Sequence, residues 1–155
     1  MIVLKMLMKL ILTAVLLTTV NGFKMPSSSS NVGTGEHFQP CQKWIKCKAE
    51  DKAALDEFVG CINMIPDEKM KKFIKVLSNY AKKEEWSDAE AAYKDYCTWD
   101  NEQQNLQFIE LLHVFVEDYS ETCADFFQAI TCTKLTQANA CFIDVLNRVH
   151  AEGKC

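Results

Sequence analysis

The sequence predicts an all-α fold, a compact disulfide-stapled bundle of about five to seven helices. Three observations carry this. Apolar residues recur at steps of three and four along most of the chain, the spacing of one helix face. Eight cysteines, an even number, all follow an N-terminal segment that reads as an export signal. After the export segment, which ends in Asn21-Gly22, no alternating Val/Ile/Thr run and no Asn-Gly or Asp-Gly turn occurs, so nothing calls for a sheet.

Residues 1–22 read as a signal peptide. Lys5 and Lys9 give a positive start, residues 10–20 are apolar, and Val20-Asn21-Gly22 offers a cleavage site after Gly22. That apolar run is shorter than the roughly 20 residues a membrane span needs, and no later stretch qualifies, so no transmembrane segment is expected. Residues 23–40 form a Ser/Gly-rich leader, with four serines at 27–30 and glycines at 33 and 35. Such a stretch has little to bury and is expected to be disordered or O-glycosylated. Residues 41–155 then form one helical, cysteine-rich domain.

Within it, Pro40 suits a first helical turn, and Trp44 and Ile45 support a short helix over 41–48. Asp51 is placed to cap a helix whose apolar stripe is Leu55, Phe58, Val59 and Ile62. Pro66 interrupts it, and Asp67 and Glu68 suit the first turn of the next. That helix sets Met70, Phe73, Ile74 and Leu77 against a solvated face of Lys69, Lys71, Lys72, Lys75, Lys82 and Lys83. Ser87 and Glu90 match a capping box opening a helix with Ala89, Ala92, Tyr93 and Tyr96.

Asp100 and Gln103 can cap the most apolar helix of all, LQFIELLHVFVEDY over 106–119. Leu106, Ile109, Leu112, Val116 and Tyr119 form one stripe; Phe108, Leu111 and Phe115 form another. A helix apolar on most sides is expected to be the central rod, wrapped by the others. Its periodicity continues through Phe126, Phe127 and Ile130, and a break is expected at Ser120–Thr122, where hydroxyls can cap a new helix. Thr136 is expected to cap the last helix, with Cys141, Phe142, Val145, Leu146 and Val149 buried and Gly153 at its end.

The chemistry is defined mostly by exclusion. In the signal-free chain, 15 basic side chains (17 less Lys5 and Lys9) stand against 21 acidic, a net charge of −6. That disfavours nucleic acid and anionic membranes as partners. Cys41, Cys47, Cys61, Cys97, Cys123, Cys132, Cys141 and Cys155 imply four disulfides, which leaves no thiolate nucleophile; 105 pairings are open. No CxxC pair, HExxH, EF-hand, GxGxxG or Walker loop occurs, so no metal and no cofactor is expected. The carboxylate pairs Asp56/Glu57, Glu84/Glu85 and Glu117/Asp118 are adjacent in sequence and diverge on a helix. His113 lies at helical spacing from Ile109 and Val116, which predicts a buried, satisfied imidazole rather than a general base. No catalytic residue is assigned.

What remains is a secreted, extracellular, non-enzymatic binding protein. One reading is a carrier of a small hydrophobic ligand held between helices, with Phe108, Leu112, Phe115, Phe126 and Phe127 lining the cavity. The other is a venom- or salivary-toxin-like effector that acts by binding an extracellular protein. The spacing Cys123-x8-Cys132-x8-Cys141 resembles the C-terminal half of the insect odorant-binding protein pattern, over about a quarter of the exported chain. The Cys-x3-Cys pair of that family does not occur here, so the resemblance transfers neither membership nor ligand residues.

Overall fold

A computed structural model of the chain describes residues 35–48, 51–83 and 86–155. The signal peptide, residues 23–34 of the leader and the Glu84/Glu85 pair lie outside the described residues. Six α-helices and no strands are present among those described, joined by disulfides into the expected all-α bundle.

Helix α1 spans Phe38–Lys43 and continues through a π-helical turn, Trp44–Lys48. It starts three residues ahead of the expected position, with His37 in the N-cap position. Helix α2, Lys52–Ile62, opens on Asp51, whose carboxylate accepts the Ala54 N–H at 3.0 Å. Helix α3, Asp67–Tyr80, has Pro66 at its cap and Asp67 and Glu68 in its first turn, where they meet unpaired backbone donors. Helix α4, Ala89–Tyr96, is capped by Asp88 rather than Ser87. The Asp88 carboxylate takes the Ala91 N–H at 2.8 Å, and the Ser87 hydroxyl donates to Asp88 instead of accepting a backbone N–H.

Helix α5, Asn101–Ala124, starts on Asp100 as expected, but it runs unbroken through Ser120–Thr122. The reversal comes at Asp125, which has extended φ and ψ and accepts the Phe127 N–H at 2.9 Å. A single 3-10 turn, Phe126–Gln128, leads into helix α6, Ala129–Ala151. Thr136 does not cap α6. It lies inside it, and its hydroxyl bonds back to the Cys132 carbonyl at 2.9 Å. Gly153 ends α6 with φ 68°, the left-handed conformation that lets Lys154 N–H reach the Val149 carbonyl at 3.2 Å.

The four bridges are Cys41–Cys155, Cys47–Cys97, Cys61–Cys141 and Cys123–Cys132. The first ties α1 to the chain end, the third pins α2 to α6, the second joins the π turn to the end of α4, and the fourth staples the α5–α6 reversal. The core follows this wiring. One cluster joins Cys41, Ile45, Ala54, Phe58 and Cys61 to Val145, Leu146 and Val149; a second joins Ile65, Phe73 and Val114 to Leu135 and Ala138. Both clusters draw on α6, and Phe142 borders each. The spine of the molecule is therefore α6, not the more apolar α5.

Helix α5 corrects the expectation in a specific way. It packs on α3 and α6, but the face it buries carries Gln104, Gln107, Asp118 and Thr122 beside Phe108 and Val114. Leu106, Ile109, Leu112 and Val116 point outward. Asp118, Thr122 and the Gln104 amide nitrogen found partners on the buried face, whereas the Gln104 and Gln107 side-chain oxygens have none among the described residues. Gln104 donates to the Tyr96 carbonyl at 3.0 Å. Lys69 reaches Asp118 at 3.0 Å and the Thr122 hydroxyl at 2.6 Å, and Lys72 bonds the same carboxylate. Burial raises the Asp118 pKa, and the Lys72 and Lys69 hydrogen bonds more than reverse that, holding the carboxyl below the usual carboxylate range. Two of the lysines read as a solvated face are thus half of an α3–α5 clasp.

Candidate functional site

The outer face of α5 and the reversal after it form the surface that the core does not explain. At 100° per residue, Leu106, Ile109, Leu112 and Val116 share one side of α5, opposite the buried side. Each is between 43 and 59% exposed. The stripe is about 15 Å long, from the helical rise. Ser120 continues this face toward the reversal, where Phe126 is 88%, Phe127 93% and Ile130 77% exposed.

These seven side chains sum to on the order of 800 Å² of exposed surface, taking roughly 150–250 Å² for a large one.

The apex is held in place from several directions. Cys123 and Cys132 bracket it with a disulfide. Asp125 accepts the Phe127 N–H and the Gln128 side-chain amide, at 2.9 and 3.0 Å. These two bonds, the Gln128 one larger, hold the Asp125 carboxyl below its ordinary value. Phe126 and Phe127 stand edge to face, centroids 5.9 Å apart. A short ring with capped backbone presents two phenyl groups to water with little backbone freedom left to lose on binding.

The five residues expected to line a cavity do not converge. Phe108 is buried on the inner face of α5. Phe115 is half-buried, packed against Phe73 at 6.0 Å and Tyr119 at 6.1 Å. Leu112, Phe126 and Phe127 face solvent. A helical period counts apolar residues on a face but does not say which face meets a neighbour. The outward reading of α5 could have been suspected from Gln104, Gln107, Asp118 and Thr122, which share its opposite side.

His113 is likewise exposed rather than buried. It follows Leu112 onto the outer side, where no carboxylate or hydroxyl pairs with it among the described residues. His37 lies on the folded part rather than in a loose leader: its Nε2 meets Asn147 Oδ1 at 2.8 Å, and its ring stacks on His150 at 4.4 Å. Cys41, Cys155 and His150 bring ligand atoms within 4.8 Å of one another, but the disulfide consumes both sulfurs and leaves one imidazole.

An open groove of about 510 Å³ is lined by Gln39, Pro40, Lys43, Trp44, Lys48, Asn101, Lys154 and Cys155. None of the five expected lining residues contributes to it. Its cations are largely committed: Lys43 donates to Asn101 at 2.6 Å, and Lys154 pairs with Asp51 at 2.6 Å and Glu152 at 2.7 Å. It lies open to solvent and mixes apolar walls from Pro40, Trp44 and Cys155 with lysine and amide groups, unlike the enclosed space a hydrophobic ligand needs.

No free cysteine occurs among the described residues, and none of their helices is long and apolar enough to cross a membrane. Comparisons with protein-family models, with curated proteins and with solved structures found no match to this chain.

Proposed function

We propose that this is a secreted, non-enzymatic protein that acts outside the cell by binding another protein through the outer face of α5 and the Phe126–Phe127 apex. The exposure of that apex carries the reading. Two adjacent phenyl groups in water, on a turn fixed by a disulfide, are unfavourable for a free monomer and suited to fill pockets on a partner. Four disulfides fit an oxidising, extracellular setting. The effector class is favoured over the carrier class because the large apolar groups outside the core point outward.

A photo-crosslinking amino acid at position 127 or 109, with position 144 on exposed α6 surface as control, tests this in the native extracellular fluid. Adducts to one protein from 127 and 109 but not from 144 are expected. Equal labelling from all three positions, or none from 127 and 109, refutes the reading. Saturable displacement of a fluorescent fatty probe, undisturbed by Phe127→Ser, returns the assignment to a carrier.

A further inference from the structure

The charges around the α5 stripe specify the chemistry of the partner, given the reading that this face binds a protein. Along its 24 residues α5 has no lysine and no arginine. It carries Glu102, Glu110, Glu117, Asp118 and Glu121, and only Asp118 is turned inward and neutralised. Glu110 and Glu117 directly follow Ile109 and Val116. On a helix this sets both carboxylates, with Glu121, along one border of the apolar stripe. Glu121 lies 3.8 Å from Lys72, and Glu117 feels the same cation at longer range without a direct ion pair, whereas Glu110 has no ion-pair partner among the described residues. The opposite border carries Asn105 and Tyr119 and no charge.

We infer that the α5 face docks a cationic amphipathic helix, a segment with an apolar stripe flanked by Lys or Arg. Leu106, Ile109, Leu112 and Val116 provide the apolar seat, and Glu110 and Glu117 pair with the partner's flanking cations. A second copy of this chain is a poor occupant. Laid antiparallel, it brings the two carboxylate rows together, and in either direction its own α5 offers no lysine or arginine, only the single imidazole of His113. An anionic bilayer is opposed by the same row of carboxylates.

The full exported chain is titrated, by fluorescence anisotropy, into two labelled synthetic peptides of about 20 residues, about 30 Å as a helix. Both carry the same leucine stripe; one has lysine flanks and the other glutamate flanks. The lysine-flanked peptide is expected to bind about tenfold tighter or more. The gap should shrink at 1 M salt, where the screening length is about 3 Å. Glu110→Lys combined with Glu117→Lys should invert the preference, and Asp144→Lys, on exposed α6 surface, should leave it unchanged. Ile109→Asp should abolish binding of both peptides.

If both peptides bind equally and Ile109→Asp abolishes both, the cationic partner is wrong while the face remains a binding surface. If neither peptide binds, or Asp144→Lys inverts the preference as effectively, the inference is overturned. A concentration-dependent dimer in sedimentation that Ile109→Asp dissolves would instead give the face to a second copy. Uptake onto anionic vesicles that Ile109→Asp prevents would give it to a membrane.

Discussion

Replacing Phe108 and Phe127 separately by alanine measures which side of α5 and its apex the fold uses. The chemical change is identical, but Phe108 is 8% exposed and Phe127 93%. A phenylalanine side chain presents roughly 200 Å², which at about 25 cal/mol per Å² is nearly 5 kcal/mol of transfer. Alanine keeps part of that, and the unfolded chain already buries some of it, so about 3 kcal/mol remains for Phe108→Ala. This is the lower end of the roughly 3–5 kcal/mol found for deleting buried phenylalanines. Phe127 has almost nothing to lose, and Phe127→Ala should stay within about 0.5 kcal/mol of wild type. The assay is urea unfolding with the disulfides intact, followed by far-ultraviolet circular dichroism and compared at equal m-values. The expected gap of about 3 kcal/mol corresponds to a melting-temperature difference on the order of 10 °C. A gap below about 1 kcal/mol, or a larger loss from Phe127→Ala, refutes the placement of the apex in solvent and the binding surface with it.

Other outcomes follow from the same packing. Asp118→Asn leaves Lys69, only 14% exposed, without its counter-charge. It should cost about 3 kcal/mol, near the bottom of the range for breaking a buried pair because Lys72 is half exposed. The Asp118 carboxyl sits below its unfolded value, so its contribution is present above about pH 4 and is lost as pH falls through the folded value. Urea titrations from neutral pH into acid should therefore show a shallower acid decline in Asp118→Asn than in wild type; an unchanged slope counts against the clasp. Replacing Cys41 and Cys155 by serine removes a link across 114 residues and should cost about 5 kcal/mol, against about 2.5 kcal/mol for Cys123 and Cys132, which are 9 apart. The reverse order in thermal melts would show that loop closure is not what those bridges contribute. Leu135→Ala, at a fully buried position on α6, should destabilise by about 3 kcal/mol, whereas Leu112→Ala should change stability by less than 1 kcal/mol. Comparable losses in denaturant melts would restore α5 as the spine.

Local chemistry settled much of this protein before any packing was known. Asp51, Pro66, Asp100 and Gly153 mark helix ends that the structure keeps, because a cap needs only its own side chain or φ and the next few backbone groups. The all-helical class and the use of every cysteine in a bridge follow from period and count. Where two local signals competed, the tertiary structure chose. Ser87 yielded the cap to its neighbour Asp88, and the hydroxyls at Ser120 and Thr122 lost to continued helix until Asp125 turned the chain. Which side of α5 faces inward was decided only in three dimensions. Lys69 and Lys72, some fifty residues away, supply the charge that makes burying Asp118 favourable, and the disulfides hold α1 and α2 against α6. With the spine covered from those directions, the polar side of α5 fits the clasp and its leucines are left to the solvent. Period fixes which residues share a face; the direction that face takes depends on partners distant in sequence.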